Sequence, residues 1–259
     1  MGARISSGFT IIETMLFLAV TGLLIAGVLV GTSASVNNQR YRDAVETFKN
    51  TLQTQYSELT SIRNDRSNTW TCDSGAVATD KGNEYRGQSN CVIVGRYVTI
   101  HGADITAYTV LAAKKASANA TLGDLAGLSQ NYNYNIISTD VEKTTMEWGT
   151  QIAWPASGLG AKSPKTPRDM AFLFMRSPSS GGVYTFSTST SVPGKDVTPR
   201  ASDITALMNA EAQKAVTICI AGDGLFVGGD TGVYLNAFAT SSSAIEVRSN
   251  SVTTETTRC

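Results

Sequence analysis

Gly8-Phe9-Thr10-Ile11-Ile12-Glu13-Thr14-Met15-Leu16-Phe17-Leu18-Ala19-Val20-Thr21-Gly22-Leu23-Leu24-Ile25-Ala26-Gly27-Val28-Leu29-Val30-Gly31 decides how the rest of the chain is read. From Phe9 to Gly31 it runs 23 residues with no proline and one charged side chain, Glu13. As an α-helix the run is about 35 Å long, enough to cross a hydrocarbon layer of about 30 Å. Three readings compete. A secretory signal has an apolar core of only about 7–15 residues before a small-residue cleavage site. Thr32-Ser33-Ala34 offers such a site, but the run before it is too long for the pattern. A plain single-pass anchor fits the length and leaves Glu13 unexplained, since a carboxylate near a bilayer centre costs about 3 kcal/mol and needs a partner. The third reading supplies that partner. Cleavage between Gly8 and Phe9 creates an α-amino group four residues before Glu13. That positive end, or a neighbour's, neutralises the carboxylate in a low-dielectric setting.

Upstream, residues 1–8 form a short polar leader with one positive charge, Arg4. Downstream the helical signal continues, with no proline or glycine from Val36 to Ile62. Tyr41, Ala44, Val45, Phe48, Leu52, Tyr56, Leu59 and Ile62 follow in steps of three or four, the stripe of a helix with one buried face. Arg40, Arg42, Asp43, Glu46, Lys49 and Glu58 fall on the other face. They read as a solvated surface with pairs such as Glu46–Lys49, or alternatively as subunit contacts in a packed filament. A continuous helix from Phe9 to Ile62 would be about 80 Å long.

Beyond Asn64 the pattern turns to strands: Val92–Ile100, Tyr108–Ala112, Tyr132–Thr139, Thr144–Trp154, Asp169–Arg176, Val183–Thr188, Ala215–Ala221, Tyr234–Ala239 and Ala244–Arg248. Each is rich in β-branched or aromatic residues and bounded by turn formers. The alternation Tyr132-Asn133-Tyr134-Asn135-Ile136 suggests a sheet with one wet face. All six prolines lie between Pro155 and Pro199, so 155–202 reads as a loop-rich, exposed insertion around two strands. A short helix, Asp203–Lys214, is expected after it, capped by Ser202 or Asp203. The expected fold class is α+β. A long N-terminal helix, transmembrane over 9–31 and amphipathic over 32–66, packs on an antiparallel β-sheet domain spanning 67–259.

Composition narrows the function. Twenty-one basic and 21 acidic side chains cancel, and no basic cluster exceeds Lys114-Lys115, which argues against a nucleic-acid partner. The solitary His101 excludes a multi-histidine metal site. Four cysteines, none spaced Cys-x-x-Cys, suit disulfides in an oxidising compartment. Three pairings are possible. Nearest neighbours are expected: Cys72–Cys91 closes a loop after the long helix, and Cys219–Cys259 ties the tail to the sheet. Each would stabilise the fold by about 3–4 kcal/mol on the loop-entropy estimate.

Gly8-Phe9-Thr10-Ile11-Ile12-Glu13, with Met15, Ala19 and Gly22 after it, closely resembles the class III signal of type IV pilins and pseudopilins. The resemblance implies cleavage after Gly8 by a prepilin peptidase, N-methylation of the new terminus at Phe9, and an assembly role for Glu13. It covers about a tenth of the chain. Val30 stands where many major pilins carry a proline, which leaves any proline-assisted helix melting without its residue. The Cys219–Cys259 pair looks like the C-terminal loop closure common in pilins, and Ala215–Gly224 resembles the C-terminal part of H-type pseudopilins and related minor pilins.

No catalytic constellation is legible. His101 lacks a neighbouring nucleophile motif, Gly-x-Ser-x-Gly is absent, and so is the phosphate loop that would make the chain its own motor. The expectation is a protein that is not an enzyme and has no cofactor. Asp223 and Asp230, in Asp-Gly-rich stretches, are weak calcium candidates that hairpin turns explain equally well. The function expected is a minor pilin or pseudopilin of a type IV pilus-like, type II secretion or DNA-uptake filament. Its partners would be other pilins, the prepilin peptidase, an assembly platform protein with its ATPase, and membrane lipid before assembly. The location would be the cytoplasmic membrane, single-pass with the C-terminal domain outside the cytoplasm, and then a periplasmic or extracellular filament. The alternative is a membrane-anchored or secreted binding protein unrelated to filaments.

Overall fold

The structure is a computed structural model that describes residues 10–60, 69–73, 76–78, 82–84, 89–154, 166–208, 213–222, 231–249 and 259. Helix α1, Ile11–Thr60, spans 50 residues, about 75 Å. Phe9 and residues 61–62, the ends of the expected helix, lie outside the described ones. Its two parts differ completely in surroundings. From Ile11 to Val36 the large apolar side chains are 41–78 % exposed. From Tyr41 onward Ala44, Val45, Phe48, Leu52, Tyr56 and Leu59 are buried, as the stripe requires, and Gln55 joins them.

The stripe is buried because two antiparallel sheets meet it. The five-stranded sheet has the order β5-β4-β3-β7-β8, built from β3 (Cys91–His101), β4 (Asp104–Lys114), β5 (Tyr132–Thr145), β7 (Asp169–Arg176) and β8 (Val183–Thr188). The four-stranded sheet has the order β11-β10-β9-β6, from β6 (Thr150–Ala153), β9 (Val216–Gly222), β10 (Thr231–Leu235) and β11 (Ile245–Ser249). One core unites Phe48, Leu52 and Tyr56 with Val98, Ile100, Phe172 and Phe174 of the first sheet and Ile152, Ile218, Ile220 and Val233 of the second. A further hairpin pairs β1 (Thr71–Asp73) with β2 (Ala76–Ala78).

The other face of the five-stranded sheet is covered as well. Helices α2 (Asp124–Gln130) and α3 (Ala201–Leu207) lay Leu128, Ile204 and Leu207 on Tyr97, Tyr134, Leu173 and Phe186. The expectation of a sheet with one wet face is therefore corrected. Along β7, Met170, Phe172 and Phe174 face α1 while Ala171, Leu173 and Met175 face α2 and α3. A strand covered on both sides reads as a continuous apolar run. The expected exposed insertion over 155–202 is corrected for the same reason: β7 pairs with β3 in the interior of the sheet, and only residues 155–165 of that stretch lie outside the described ones.

Three boundaries move for local reasons. The strand expected at Thr144–Trp154 is broken by a turn at Glu147–Gly149, where Trp148 and Gly149 both have positive φ. The strand expected to reach Ala239 stops at Leu235, and Phe238 has φ 54°. The helix expected at Asp203–Lys214 begins earlier, at Ala201, because Asp203 accepts the Arg200 backbone N–H at 2.7 Å from the third helical position rather than serving as the cap. The cysteines pair Cys72–Cys91 and Cys219–Cys259, with Cα atoms 5.3 and 5.1 Å apart. The second pair needs the glycine opposite it, since a Cβ on Gly232 would lie 2.7 Å from Cys259 Sγ and 2.9 Å from the Ile218 carbonyl.

Phe48 is 1 % exposed at the centre of the shared core. Phe48→Ala should lower unfolding stability of the domain by about 3–5 kcal/mol, measured by denaturant titration. Membrane partition through the separate apolar run should be unchanged.

Candidate functional site: a bare apolar helix and its lone acid

The exposed part of α1 is apolar all round, and its hydroxyls satisfy themselves. Thr14 donates to the Ile11 carbonyl at 2.9 Å and Thr21 to the Phe17 carbonyl at 2.8 Å. This back-bonding removes the cost of a hydroxyl in a dry medium. From Ile11 to Gly31 one polar side chain is left, Glu13. Its backbone N–H bonds Thr10, to the carbonyl at 3.1 Å and the hydroxyl at 3.3 Å. Its carboxylate has no hydrogen bond or ion pair among the described residues. Glu13 sits in the first turn, where the helix dipole favours a negative charge. Gly8 and Phe9 lie outside the described residues. By length and hydropathy this helix can cross a membrane.

The amphipathic part is locked to the sheets by polar contacts that the periodicity did not reveal. The Tyr41 hydroxyl lies 3.0 Å from the Ile220 and Thr231 carbonyls. Gln53 Nε2 donates to the Ser242 carbonyl at 3.0 Å, and the Tyr56 hydroxyl meets Thr185 Oγ1 at 2.7 Å. Arg96 is the centre of the largest network. It projects from β3 toward α1, in phase with Val98 and Ile100, and is 9 % exposed. Its Nε donates to Gln55 Oε1 at 3.2 Å and lies 3.0 Å from Glu58 Oε2. Its Nη1 donates to Thr109 Oγ1 at 2.7 Å, and its Nη2 to Glu142 Oε2 at 3.0 Å. Asp140 completes the network by accepting from Thr109 at 2.6 Å. It reaches inward because Tyr108 faces Val141 and Thr109 faces Ile137, so Ser138–Asp140 bulge from β5. Glu58 therefore belongs to a helix–sheet contact, which corrects its placement on a solvated face. Glu46 and Lys49 do pair there, at 2.8 Å.

Two further polar groups are structural. Asp124, at the start of α2, accepts hydroxyl hydrogen bonds from Ser177 at 2.6 Å, Ser179 at 2.9 Å, Ser180 at 2.5 Å and Tyr184 at 2.7 Å. Partial burial pushes its carboxyl up, and the four donors more than reverse this, leaving a pKa of about 2. Arg168 is buried between Trp154, 4.3 Å from its ring centroid, and the Thr217 carbonyl at 3.0 Å. Burial lowers its pKa to about 10. His101 Nδ1 lies 3.3 Å from Asp169, and no hydroxyl or thiol bonds it among the described residues. The groove between α1 and β5, lined by Asn50, Thr54, Glu142 and Thr144, offers hydrogen-bonding groups without a nucleophile–base pair. Asp223 and Asp230, the calcium candidates, lie outside the described residues.

Removing Arg96 takes away the buried guanidinium that Gln55, Thr109 and the Glu58 and Glu142 carboxylates share. Arg96→Ala should cost about 3 kcal/mol of stability, whereas Glu142→Ala, whose carboxylate is half exposed, should cost at most about 1 kcal/mol. Equal losses in thermal unfolding would contradict the network. Asp124 has a folded pKa below its unfolded value of about 4. Its contribution is therefore present above that value and is lost as pH falls through about 2. The fall in melting temperature across that window should be smaller in Asp124→Asn than in the parent.

Comparison with protein-family models, with curated proteins and with solved structures finds no match to this chain.

Proposed function

We propose that the chain is a structural subunit of a helical filament of the type IV pilin and pseudopilin kind, made as a membrane precursor and processed after Gly8. The observation that carries this reading is the exposed, apolar first part of α1, whose one unsatisfied polar side chain is Glu13. Such a surface needs a covering, which lipid supplies before assembly and like helices supply after it. Passing from one to the other changes little in apolar burial, so association is not opposed by the hydrophobic effect.

Glu13 then sets the stagger. In a bundle of like helices a carboxylate without a counter-charge is strongly destabilising. Only a register that places it near an α-amino group, the chain's own at Phe9 or a neighbour's, removes that cost. The sheets carry the surface on which a partner would bind, and the clamp of α1 to both sheets keeps that surface rigidly joined to the filament core. The role proposed is assembly and display, in a pilus, secretion or DNA-uptake filament, with a peptidase, platform protein and ATPase acting on the chain.

Two measurements test the proposal. The N-terminal peptide of the mature protein should begin at methylated Phe9 by mass spectrometry. An intact Met1 or a start near Ser35 would instead favour a membrane-anchored or secreted binding protein. Glu13→Ala should leave the precursor folded and membrane-bound while filament incorporation drops at least about tenfold, equivalent to about 1.4 kcal/mol in assembly. Undiminished incorporation would remove the register mechanism.

A further inference from the structure

Trp148 occupies a backbone conformation that suits glycine. Its φ and ψ are 59° and 27°, and Gly149 beside it has φ 67°. A bulky side chain is strained there. Its indole does not repay that strain by filling the core: it is 48 % exposed, and the Arg40 guanidinium lies 4.8 Å over its ring. Arg40 immediately precedes Tyr41, the first buried residue of α1. Trp148 therefore stands on the rim where the bare helix leaves the domain.

The same rim carries the β3–β4 turn, to which Met146 is bonded through the Ala103 carbonyl at 2.8 Å. It also carries Lys195 on Asp104 at 2.6 Å, Lys143 on Asp196 at 3.4 Å, and Val197, 51 % exposed. Its basic groups, Arg40, Arg42, Lys143 and Lys195, are accompanied by Asp43, Asp104, Glu147 and Asp196, and by Asp169 opposite His101 at the foot of the same turn. Charge therefore gives the rim no preference for an anionic surface; its distinguishing feature is the outward indole.

We infer that this rim is a seat on the membrane: Trp148, beneath Arg40, rests in the headgroup layer of the bilayer that the helix crosses and sets the angle at which the domain stands. The inference rests on the membrane-anchored precursor of the preceding section. Thr32–Gln39 carry no charge and rise about 12 Å, against a headgroup layer of about 5–8 Å per side. A helix tilt of about 20° toward the domain lowers this rim to the outer headgroups. An indole partitions there because its ring and its N–H prefer different media, and the Arg40 guanidinium stacked over the ring keeps its edge N–H groups for phosphate.

The test uses the full chain and its Trp148→Gly and Trp148→Asn variants in phosphatidylcholine vesicles. Flotation reports the anchor, and quenching of tryptophan emission by headgroup-spin-labelled phosphatidylcholine reports the seat. All three proteins should float and keep their melting temperature, since glycine and asparagine relax the positive-φ position. Quenching should be several-fold stronger in the parent than in either variant and independent of added anionic lipid. Flotation with equal quenching in parent and variants overturns the seat and leaves the anchor standing. Quenching that requires anionic lipid replaces the indole seat by charge attraction and overturns it. A parent that does not float overturns the anchor, and the seat with it.

Discussion

One helix here must satisfy two environments along a single unbroken axis. Over its second part the physical demand is ordinary: Phe48, Leu52 and Tyr56 leave water by entering a core shared with two sheets. Over its first part no such surface exists among the described residues, and the large apolar side chains from Ile11 to Val30 stay bare. The domain thus completes its own fold while leaving a rod that only an apolar medium or other rods can cover. Everything distinctive about the molecule follows from keeping those two demands on one rigid element.

Rigidity is secured by polar contacts at the helix–sheet junction as much as by packing. Tyr41, Gln53, Gln55, Tyr56 and Glu58 each reach a sheet group, Gln53 through the Ile245 carbonyl of β11, and Arg96 gathers two of these contacts, those of Gln55 and Glu58, at one buried point. Hydrophobic contact alone would tolerate sliding along the stripe; directional bonds to fixed carbonyls and to a guanidinium do not. Force or orientation imposed on the rod is therefore transmitted to the sheets. The Cys219–Cys259 bridge and the hydroxyl cluster around Asp124 hold the outer parts of the domain in the same fashion.

Much of this was legible in the residues. The helix, its buried stripe and most strand positions emerged from periodicity, because burial on one face imposes a repeat that composition cannot hide. Other features were opaque for a definite reason. Trp148 and Phe238 interrupt strands through positive φ values that no propensity of tryptophan or phenylalanine foretells. Helix α2 is too short, and too rich in glycine and serine, to generate a period. Glu58 and Arg96 lie far apart in sequence, so their pairing is visible only once β3 lies beneath α1. Of the candidate site residues, Glu13 stood out because a charge inside an apolar run is anomalous in one dimension. Trp148 could not, because its exposure and its neighbour Arg40 are facts of three dimensions.

The sequence by itself determined that a long helix would be greasy on all sides and then on one, that it would carry a single acid near its start, and that a β-rich, cysteine-bearing domain would follow. Those properties are local: they depend on which side chains succeed one another along the chain. Tertiary structure decided that the five-stranded sheet would be covered on both faces, that the two strands of the proline-rich stretch would join it and not an exposed lobe, and that a tryptophan would face outward where the rod emerges. Those outcomes depend on which surfaces are left over when distant segments compete for the same core, and nearest neighbours in sequence do not encode that.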